Sequence, residues 1–270
     1  MNVDFAKFSA AGNDFILIDN RELIIKEKDC QFVAKKLCNR KYSIGADGLI
    51  LLEKSICKDF KMKYFNSDGS HASMCGNGGR AVSRFAYDLG VANLKMAFET
   101  DAGIINAEIL AHDKVKLSLY NPKDFKHNIK IDIGGRKVKV DCIDTGVPHA
   151  VMFVKDIRKI NVLKCGKSIR YHEFFAPVGT NVDFVEIARD NTLFVRTYER
   201  GVEDETLACG TGITACGIVS VVKGFTKSPV SVFAESGDRL SVSLNFFSDK
   251  VSDVVLEGPA ILTFKGTVGI

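Results

Sequence analysis

Residues Tyr64–Gly78 read Y-F-N-S-D-G-S-H-A-S-M-C-G-N-G, and residues Tyr198–Gly212 read Y-E-R-G-V-E-D-E-T-L-A-C-G-T-G. The second stretch begins 134 residues after the first and aligns with it without a gap, setting Tyr64 on Tyr198, Cys75 on Cys209, Gly76 on Gly210 and Gly78 on Gly212. The correspondence continues along the chain. Gly12 meets Gly146 at the same offset, Asp47 meets Asp183 and Glu99 meets Glu235 at 136, and Pro122 meets Pro259 at 137. A period near half of 270 residues implies two copies of one domain, since solenoids repeat every 20–50 residues or so.

The segment on the C-terminal side of each cysteine gives the repeat its chemistry. After Cys75, residues Ala81, Val82, Phe85, Ala86 and Leu89 recur at helical spacing, with Gly90 as a stop. After Cys209, G-T-G-I-T-A-C-G-I-V-S-V-V is apolar almost all round, as expected of a helix buried at the centre of its domain. Each cysteine thus stands in a glycine-rich turn opening a helix. Unsatisfied N–H groups and the positive end of the helix dipole gather there. They favour a thiolate and form a ready site for a carboxylate.

Composition narrows the class. A net charge of +4 and the lack of a basic run interleaved with aromatics argue against nucleic acid as a partner. No apolar run approaches the 18 or so residues of a membrane span, and Met1–Ser9 lacks the apolar core of an export signal. Eight cysteines without C-x-x-C or zinc-finger spacing read as reduced thiols in a cytoplasmic protein, with no metal site. Cys75 and Cys209 apart, the cysteines are expected to be small buried hydrophobes.

Taken in order, the chain predicts strands over 3–8, 15–18 and 61–65, a turn leading into a strand within 39–53, and a helix over 29–38 capped by Asp29. Beyond the Cys75 helix come strands 95–99, 104–110 and 115–119, then a hairpin of 128–133 and 137–143 around Gly134-Gly135. The second copy repeats the plan, with strands 149–154, 182–188, 193–198, 230–234, 239–247 and 251–256 and a short helix near 168–175. The tail from Ala260 to Val268 stands, by the repeat, where the residues after Pro122 begin the other domain, so it should cross back and complete the first domain's sheet. The expected class is α+β: two pseudo-symmetric, internally duplicated β-rich domains, each wrapping a central helix. The first comprises 1–122 plus 260–270, the second 123–259, with a site in the cleft between them. G-N-G-G near residue 76 is no dinucleotide fingerprint, because no acidic residue ends a βαβ unit about 20 residues later.

F-S-A-A-G-N-D-F (8–15), S-I-G-A-D-G (43–48), F-N-S-D-G-S (65–70), M-C-G-N-G-G-R (74–80), G-V-P-H (146–149), G-T-N-V-D-F (179–184) and Y-E-R-G-V-E-D-E-T-L-A-C-G-T-G (198–212) carry a resemblance. Together and in this order they resemble diaminopimelate epimerase. The resemblance implies a cofactor-independent enzyme that interconverts LL- and meso-diaminopimelate on the route to lysine and peptidoglycan, cytoplasmic and homodimeric. Cys75 and Cys209 match the catalytic acid/base pair. Asn13, Asn66, Gly76, Asn77, Asn181, Glu199, Arg200, Gly210 and Thr211 match substrate-contacting positions, and His149 and Glu199 match side chains that tune the thiols. Two positions depart from a common form of the family: Gly48 stands where many members carry glutamine, and Val147 where many carry asparagine. Both departures remove amides and bear on substrate recognition.

The chemistry fits the residues. Inverting a carbon takes a proton from one face and returns one to the other, which two thiols on opposite faces can do, one ionised and one not. A reference pKa near 8.5 puts both forms within reach of neutral pH. Arg200, aligned with Asn66, suits a carboxylate because its fork binds such groups bidentately. Two alternatives stay open from sequence: an epimerase or racemase of another amino acid such as glutamate or hydroxyproline, and a duplicated binding module without catalysis. The latter would have no need for a cysteine in both turns.

Overall fold

Phe15, Ile16, Leu17 and Ile18 are all fully buried, and the strand they form shows how each half of the protein is layered. Such a run belongs in a strand covered on both faces. Ile16 and Ile18 face Val33, Ala34 and Leu37 of a short outer helix. The opposite face of the strand turns to the central helix.

The computed structural model describes residues 1–111 and 113–270. It divides into two units, Met1–Ser118 with Glu257–Ile270, and Leu119–Leu256. The divisions fall a few residues before Pro122 and Ala260.

Unit 1 runs β1 (Asn2–Ala10), β2 (Asn13–Asp19), α1 (Cys30–Leu37), β3 (Gly48–Glu53), β4 (Phe60–Asn66), β5 (His71–Ala72), α2 (Gly76–Asp88), β6 (Lys95–Thr100), β7 (Gly103–Ala111) and β8 (Lys114–Ser118). Unit 2 runs β9 (Lys123–Asp132), β10 (Lys137–Asp144), β11 (Pro148–Val154), α3 (Val162–Arg170), β12 (Asn181–Ile187), β13 (Thr192–Glu199), β14 (Asp204–Thr206), α4 (Gly210–Val222), β15 (Val230–Phe233), β16 (Arg239–Phe247) and β17 (Lys250–Pro259). The last residues of β17, from Glu257, and the whole of β18 (Ile261–Gly269) belong to unit 1.

The pairings repeat. In unit 1, β18 pairs β1, β1 pairs β2, β2 runs parallel to β3, β3 pairs β4, and β4 runs parallel to β6. In unit 2, β9 pairs β10, β10 pairs β11, β11 runs parallel to β12, β12 pairs β13, and β13 runs parallel to β15. β18 therefore holds in unit 1 the place that β9 holds in unit 2, as the repeat predicts. α2 packs within β1, β2, β3, β4, β7 and β8, and α4 within β10, β11, β12, β13, β15 and β16. Even a ring pair is duplicated: Phe60 stacks on Phe98 at 4.8 Å, and Phe194 on Phe233 at 5.6 Å.

Several expectations need correction. Phe15 lies opposite Gly48 and His149 opposite Asn181, so with Phe15 set on His149 the counterpart of Gly48 is Asn181. Asp47 then falls on Thr180 rather than Asp183, because the connection into β12 is one residue shorter than that into β3. Phe98 likewise matches Phe233, which sets Glu99 on Ala234, not Glu235. The helix expected near 168–175 is α3, Val162–Arg170, followed by a 3-10 turn at Glu173–Phe175. Asn161 caps it, its side-chain oxygen accepting from Lys164 N–H at 2.9 Å. Gly166 masks the helical pattern in sequence but is required by packing. A β-carbon there would lie 2.4 Å from Cβ of Tyr198. Asp29 makes no side-chain cap, because a preceding 3-10 turn carries the chain into α1 with Asp29 already helical. Cys57 is exposed and donates its S–H to Glu99, and Cys165 is half-buried, so the buried-hydrophobe reading holds for Cys30, Cys38, Cys142 and Cys216. No helix among the described residues is long and apolar enough to cross a membrane.

Candidate functional site

In unit 1, β5 delivers the chain to Cys75, the N-cap of α2, with extended backbone (φ −140°, ψ 121°). Its Sγ accepts from Gly78 N–H at 3.4 Å, and its carbonyl accepts from Gly79 N–H at 2.7 Å. The cysteine therefore does a cap's work, holding its sulfur among the first amides of the helix.

Asn77 and Asn13 join this turn to the β1–β2 hairpin. Asn77 Nδ2 donates to Asn13 Oδ1 at 2.6 Å, and Asn13 Nδ2 donates to Asp47 Oδ2 at 3.0 Å. The fully buried Arg80 donates to Asn77 Oδ1 at 2.6 Å and to Pro259 O at 3.2 Å. Beyond Asp47, Arg40 grips Asp14 through both nitrogens and reaches Asp47 at 2.8 Å, while Lys7 pairs with Asp14 at 2.8 Å. Burial acts to raise the Asp14 carboxyl, but the hydrogen bonds from Arg40 and Lys7 win and hold it at about 2. Each amide of Asn13 and Asn77 is fixed in direction by these partners. Asn66, at the end of β4, spends its amide on Ser70 Oγ at 2.9 Å.

Gly48 has a local reason to be glycine. A β-carbon there would lie 2.4 Å from Cε2 of Tyr64 and 2.7 Å from the carbonyl oxygen of Phe65. The Tyr64 ring takes the space that a longer side chain at 48 would need.

In unit 2, Cys209 is the N-cap of α4, again with extended backbone, but its sulfur contacts Thr211 Oγ1 at 3.3 Å. Thr145 Oγ1 donates to Thr211 O at 3.0 Å, tying the turn to β10. At the start of β12, Asn181 Oδ1 accepts from Arg200 N–H at 2.8 Å and its Nδ2 donates to Pro148 O at 3.3 Å. Glu203 pins the turn that carries Glu199 and Arg200, accepting from Gly201 N–H, Tyr198 Oη and Arg170. Arg200 Nη1 reaches Val178 O at 3.5 Å.

Behind the α4 turn, His149, which the sequence singled out, has two buried partners that it did not, Asp183 and Thr197. His149 Nδ1 is 2.7 Å from Asp183 Oδ2, and Thr197 Oγ1 donates to Asp183 Oδ1 at 2.7 Å. Gly212 makes room for them: a β-carbon there would lie 2.3 Å from Asp183 Oδ1 and 3.3 Å from His149 Cε1.

The two sulfurs sit differently. Cys75 is half-buried and Cys209 buried. Burial pushes the Cys209 thiol well above its ordinary value, and the nearby charges of Glu199 and Asp183 push it further. The Thr211 hydroxyl and Gly212 N–H pull the other way without winning. The lowering expected from the helix N-terminus is thus real but outweighed at Cys209.

The structure therefore gathers Cys75, Gly76, Asn77 and Asn13 in unit 1, and gathers Cys209, Gly210 and Thr211 close to His149 in unit 2, with Asn181, Glu199 and Arg200 joined at the β12–β13 end. Sequence reasoning missed Asp183, Thr197, Arg80, Asp14 and Arg40 as supports. For Asp183, and for the Lys7 that holds Asp14, the signal was there in a charged residue set in an apolar strand, Asp183 within N-V-D-F-V and Lys7 within F-A-K-F. Among the described residues, no group of three or more His, Cys, Asp or Glu side chains could hold a metal ion.

The duplicated fold is shared with solved structures of low sequence identity. A phenazine biosynthesis protein of the PhzF family from Bacillus anthracis superposes with TM-score 0.76 over all of both chains at 16% identity. A hydroxyproline epimerase from Agrobacterium vitis superposes with TM-score 0.73 over 99% of this chain and 92% of its own at 15% identity. The chain belongs to the diaminopimelate epimerase family, whose model matches residues 5–122 and 142–261. It is 46% identical to the diaminopimelate epimerase of Aquifex aeolicus, with 98% of this chain and 97% of that protein aligned. It is 41% identical to that of Chlorobaculum tepidum, with 96% and 99% aligned.

Proposed function

We propose that the protein is a diaminopimelate epimerase that inverts one α-carbon of LL-diaminopimelate to give the meso form, and the reverse, without a cofactor. The observation that carries the reading is the placement of Cys75 and Cys209, each the N-cap of its unit's central helix at equivalent points of the duplication. Family membership supports the substrate. In this reading one sulfur, as thiolate, takes the α-proton, and the other, as thiol, delivers its own proton to the opposite face. The resting state is restored when the two sulfurs exchange protonation through solvent.

The first amides of α2 and α4, with Gly76, Asn77, Gly210 and Thr211, would stabilise charge building on the reacting carboxylate. Asn13, Asn66, Asn181 and Arg200 would recognise the rest of the substrate, with the Arg200 guanidinium matched to a carboxylate. Glu199 and His149 would tune the pKa values of the sulfurs. Membership in lysine and peptidoglycan precursor synthesis, a cytoplasmic location and a homodimeric state belong to the same proposal.

Turnover of LL-diaminopimelate in D₂O tests it. Early meso product should carry deuterium at the inverted carbon while unreacted substrate keeps hydrogen. Cys75→Ala and Cys209→Ala should each abolish epimerisation. Product that retains the substrate's own hydrogen, or full turnover by either variant, would refute the two-thiol mechanism.

A further inference from the structure

We infer that Asp183 is a positioning residue. It fixes His149 as the Nδ1–H tautomer and so leaves Nε2 as a bare lone pair, a proton acceptor enclosed beside the α4 turn. The inference rests on the epimerase reading only for its effect on turnover; the tautomer itself is a property of the fold.

The hydrogen-bond inventory decides the tautomer. Asp183 is 0% exposed and accepts from the Thr197 hydroxyl on Oδ1 at 2.7 Å. Its other oxygen, Oδ2, is 2.7 Å from His149 Nδ1. An ionised carboxylate only accepts, so the proton of that second bond sits on Nδ1. His149 is 1% exposed, and its Nε2 has no hydrogen-bond partner among the described residues. A buried polar atom without a partner is costly and is retained where it has a use. In a neutral ring protonated at Nδ1, that atom is an acceptor, and a proton taken there makes an imidazolium facing the Asp183 carboxylate at Nδ1.

The placement is built from several elements. β11 carries His149, the parallel strand β12 carries Asp183, β13 carries Thr197, and α4 closes the far side through Gly212. Because Thr197 donates to Oδ1, it also fixes which end of residue 183 faces the histidine. This makes Asp183→Asn informative. Where the Thr197 hydroxyl keeps donating, it holds the amide oxygen and turns the amide N–H₂ toward His149 Nδ1. Nδ1 would then have to accept, and the ring proton would move to Nε2. The enclosed acceptor would become a donor with little change in shape, the logic by which an Asp→Asn change behind a catalytic histidine locks the wrong tautomer.

The test uses protein labelled with ¹⁵N in its five histidines, long-range ¹H–¹⁵N correlation spectra near neutral pH, and His149→Gln to assign the signal. In the unmodified protein the His149 proton should be on Nδ1 and Nε2 should be unprotonated. In Asp183→Asn the proton should appear on Nε2, with kcat for LL-diaminopimelate falling on the order of 10²–10⁴-fold and KM changing little. In Asp183→Asn combined with Thr197→Val the amide is no longer held, so the Nδ1–H form and part of the lost kcat should return. A purely structural role predicts no such rescue. A proton on Nε2 in the unmodified protein overturns the inference, even if the variants do not fold. A tautomer switch in Asp183→Asn with full turnover overturns the positioning role while leaving the epimerase reading intact. A correct tautomer in an unmodified protein without epimerase activity would instead count against the epimerase reading.

Discussion

Gly212 and Asp183 are packed so closely that one added methyl group would lie 2.3 Å from the carboxylate oxygen Oδ1. The corresponding glycine of the first copy, Gly78, is less constrained: its added methyl would meet the ends of Ile50 and Met62 at 3.0 and 3.3 Å. Flexible side-chain ends can yield, whereas a carboxylate held by a histidine and a threonine cannot move without breaking those bonds. Gly212→Ala should therefore cost roughly 1–3 kcal/mol, the usual range for overpacking, and cut turnover at least about tenfold through a kcat loss of 1.4 kcal/mol or more. Gly78→Ala should cost about 1 kcal/mol or less. Urea unfolding and steady-state kinetics on the two variants check the order. Equal losses would show that the Asp183 contact is unimportant.

Cys209 should ionise only well above the ordinary thiol range, because burial and then the charges of Glu199 and Asp183 disfavour its thiolate. Removing either charge should lower the pH at which it becomes reactive, so Glu199→Gln and Asp183→Asn should both shift the midpoint down. Thr211→Val, which removes a contact favouring the thiolate, should shift it up. Alkylation by iodoacetamide, followed across pH at Cys209 by peptide mass spectrometry, measures this. An upward shift in Glu199→Gln would contradict it.

Asn77 accepts from Arg80 and donates to Asn13. Asn77→Asp keeps the acceptor for Arg80 but loses the donor, setting a carboxylate against Asn13 Oδ1 at the observed 2.6 Å spacing. The fold should survive, since the buried Arg80 gains an ionic partner. kcat/KM should fall about 10–100-fold, matching the 1–3 kcal/mol cost of a broken buried hydrogen bond. Thermal unfolding beside kinetics separates the two effects. A variant both stable and fully active would remove Asn77 from the site.

Asp14 sets an acid limb on stability. Its carboxyl is held at about 2 against an ordinary 3.8, so it stabilises the fold above pH 3.8 and loses that contribution as pH falls toward 2. The difference corresponds to about 2 kcal/mol, with Asp14 itself three-quarters covered. Arg40 is more exposed, so Arg40→Leu should remove only part of it, about 1 kcal/mol near neutral pH and little near pH 2. Guanidinium unfolding at the two pH values provides the comparison. A loss that grows toward low pH would reverse the sign.

The duplication, both cysteine-capped helices and the crossing of the tail were legible because they rest on local pattern: glycine turns, apolar period and repeated spacing. The features that escaped were set by contacts distant in sequence. Gly166 reads as a break in a helix until Tyr198, 32 residues later, is seen to press against it. Asp183 reads as the mate of Asp47 until strand register sets Gly48 on Asn181 and so Asp47 on Thr180. Arg80, in a motif full of glycine and asparagine, gives no sign that it is fully buried against Asn77 and a carbonyl at Pro259. Gly48 reads as a lost amide, while the structure shows that the Tyr64 ring occupies the place of any side chain there.

The pairing of β18 with β1 has a consequence for synthesis. Unit 1 is begun first, but its β1 has a bare edge on the outer side until residues 257–270 emerge, and by then all of unit 2 has been made. Unit 2, continuous from Leu119 to Leu256, can close while the earlier-made half is still waiting, which inverts the usual order of folding during translation. During that interval β1 offers unpaired amides and carbonyls along Asn2–Ser9, the kind of edge that invites pairing with another nascent chain. A ribosome stalled shortly after unit 2 would therefore expose an aggregation-prone half-protein, and the last strand acts as the seal that removes the hazard.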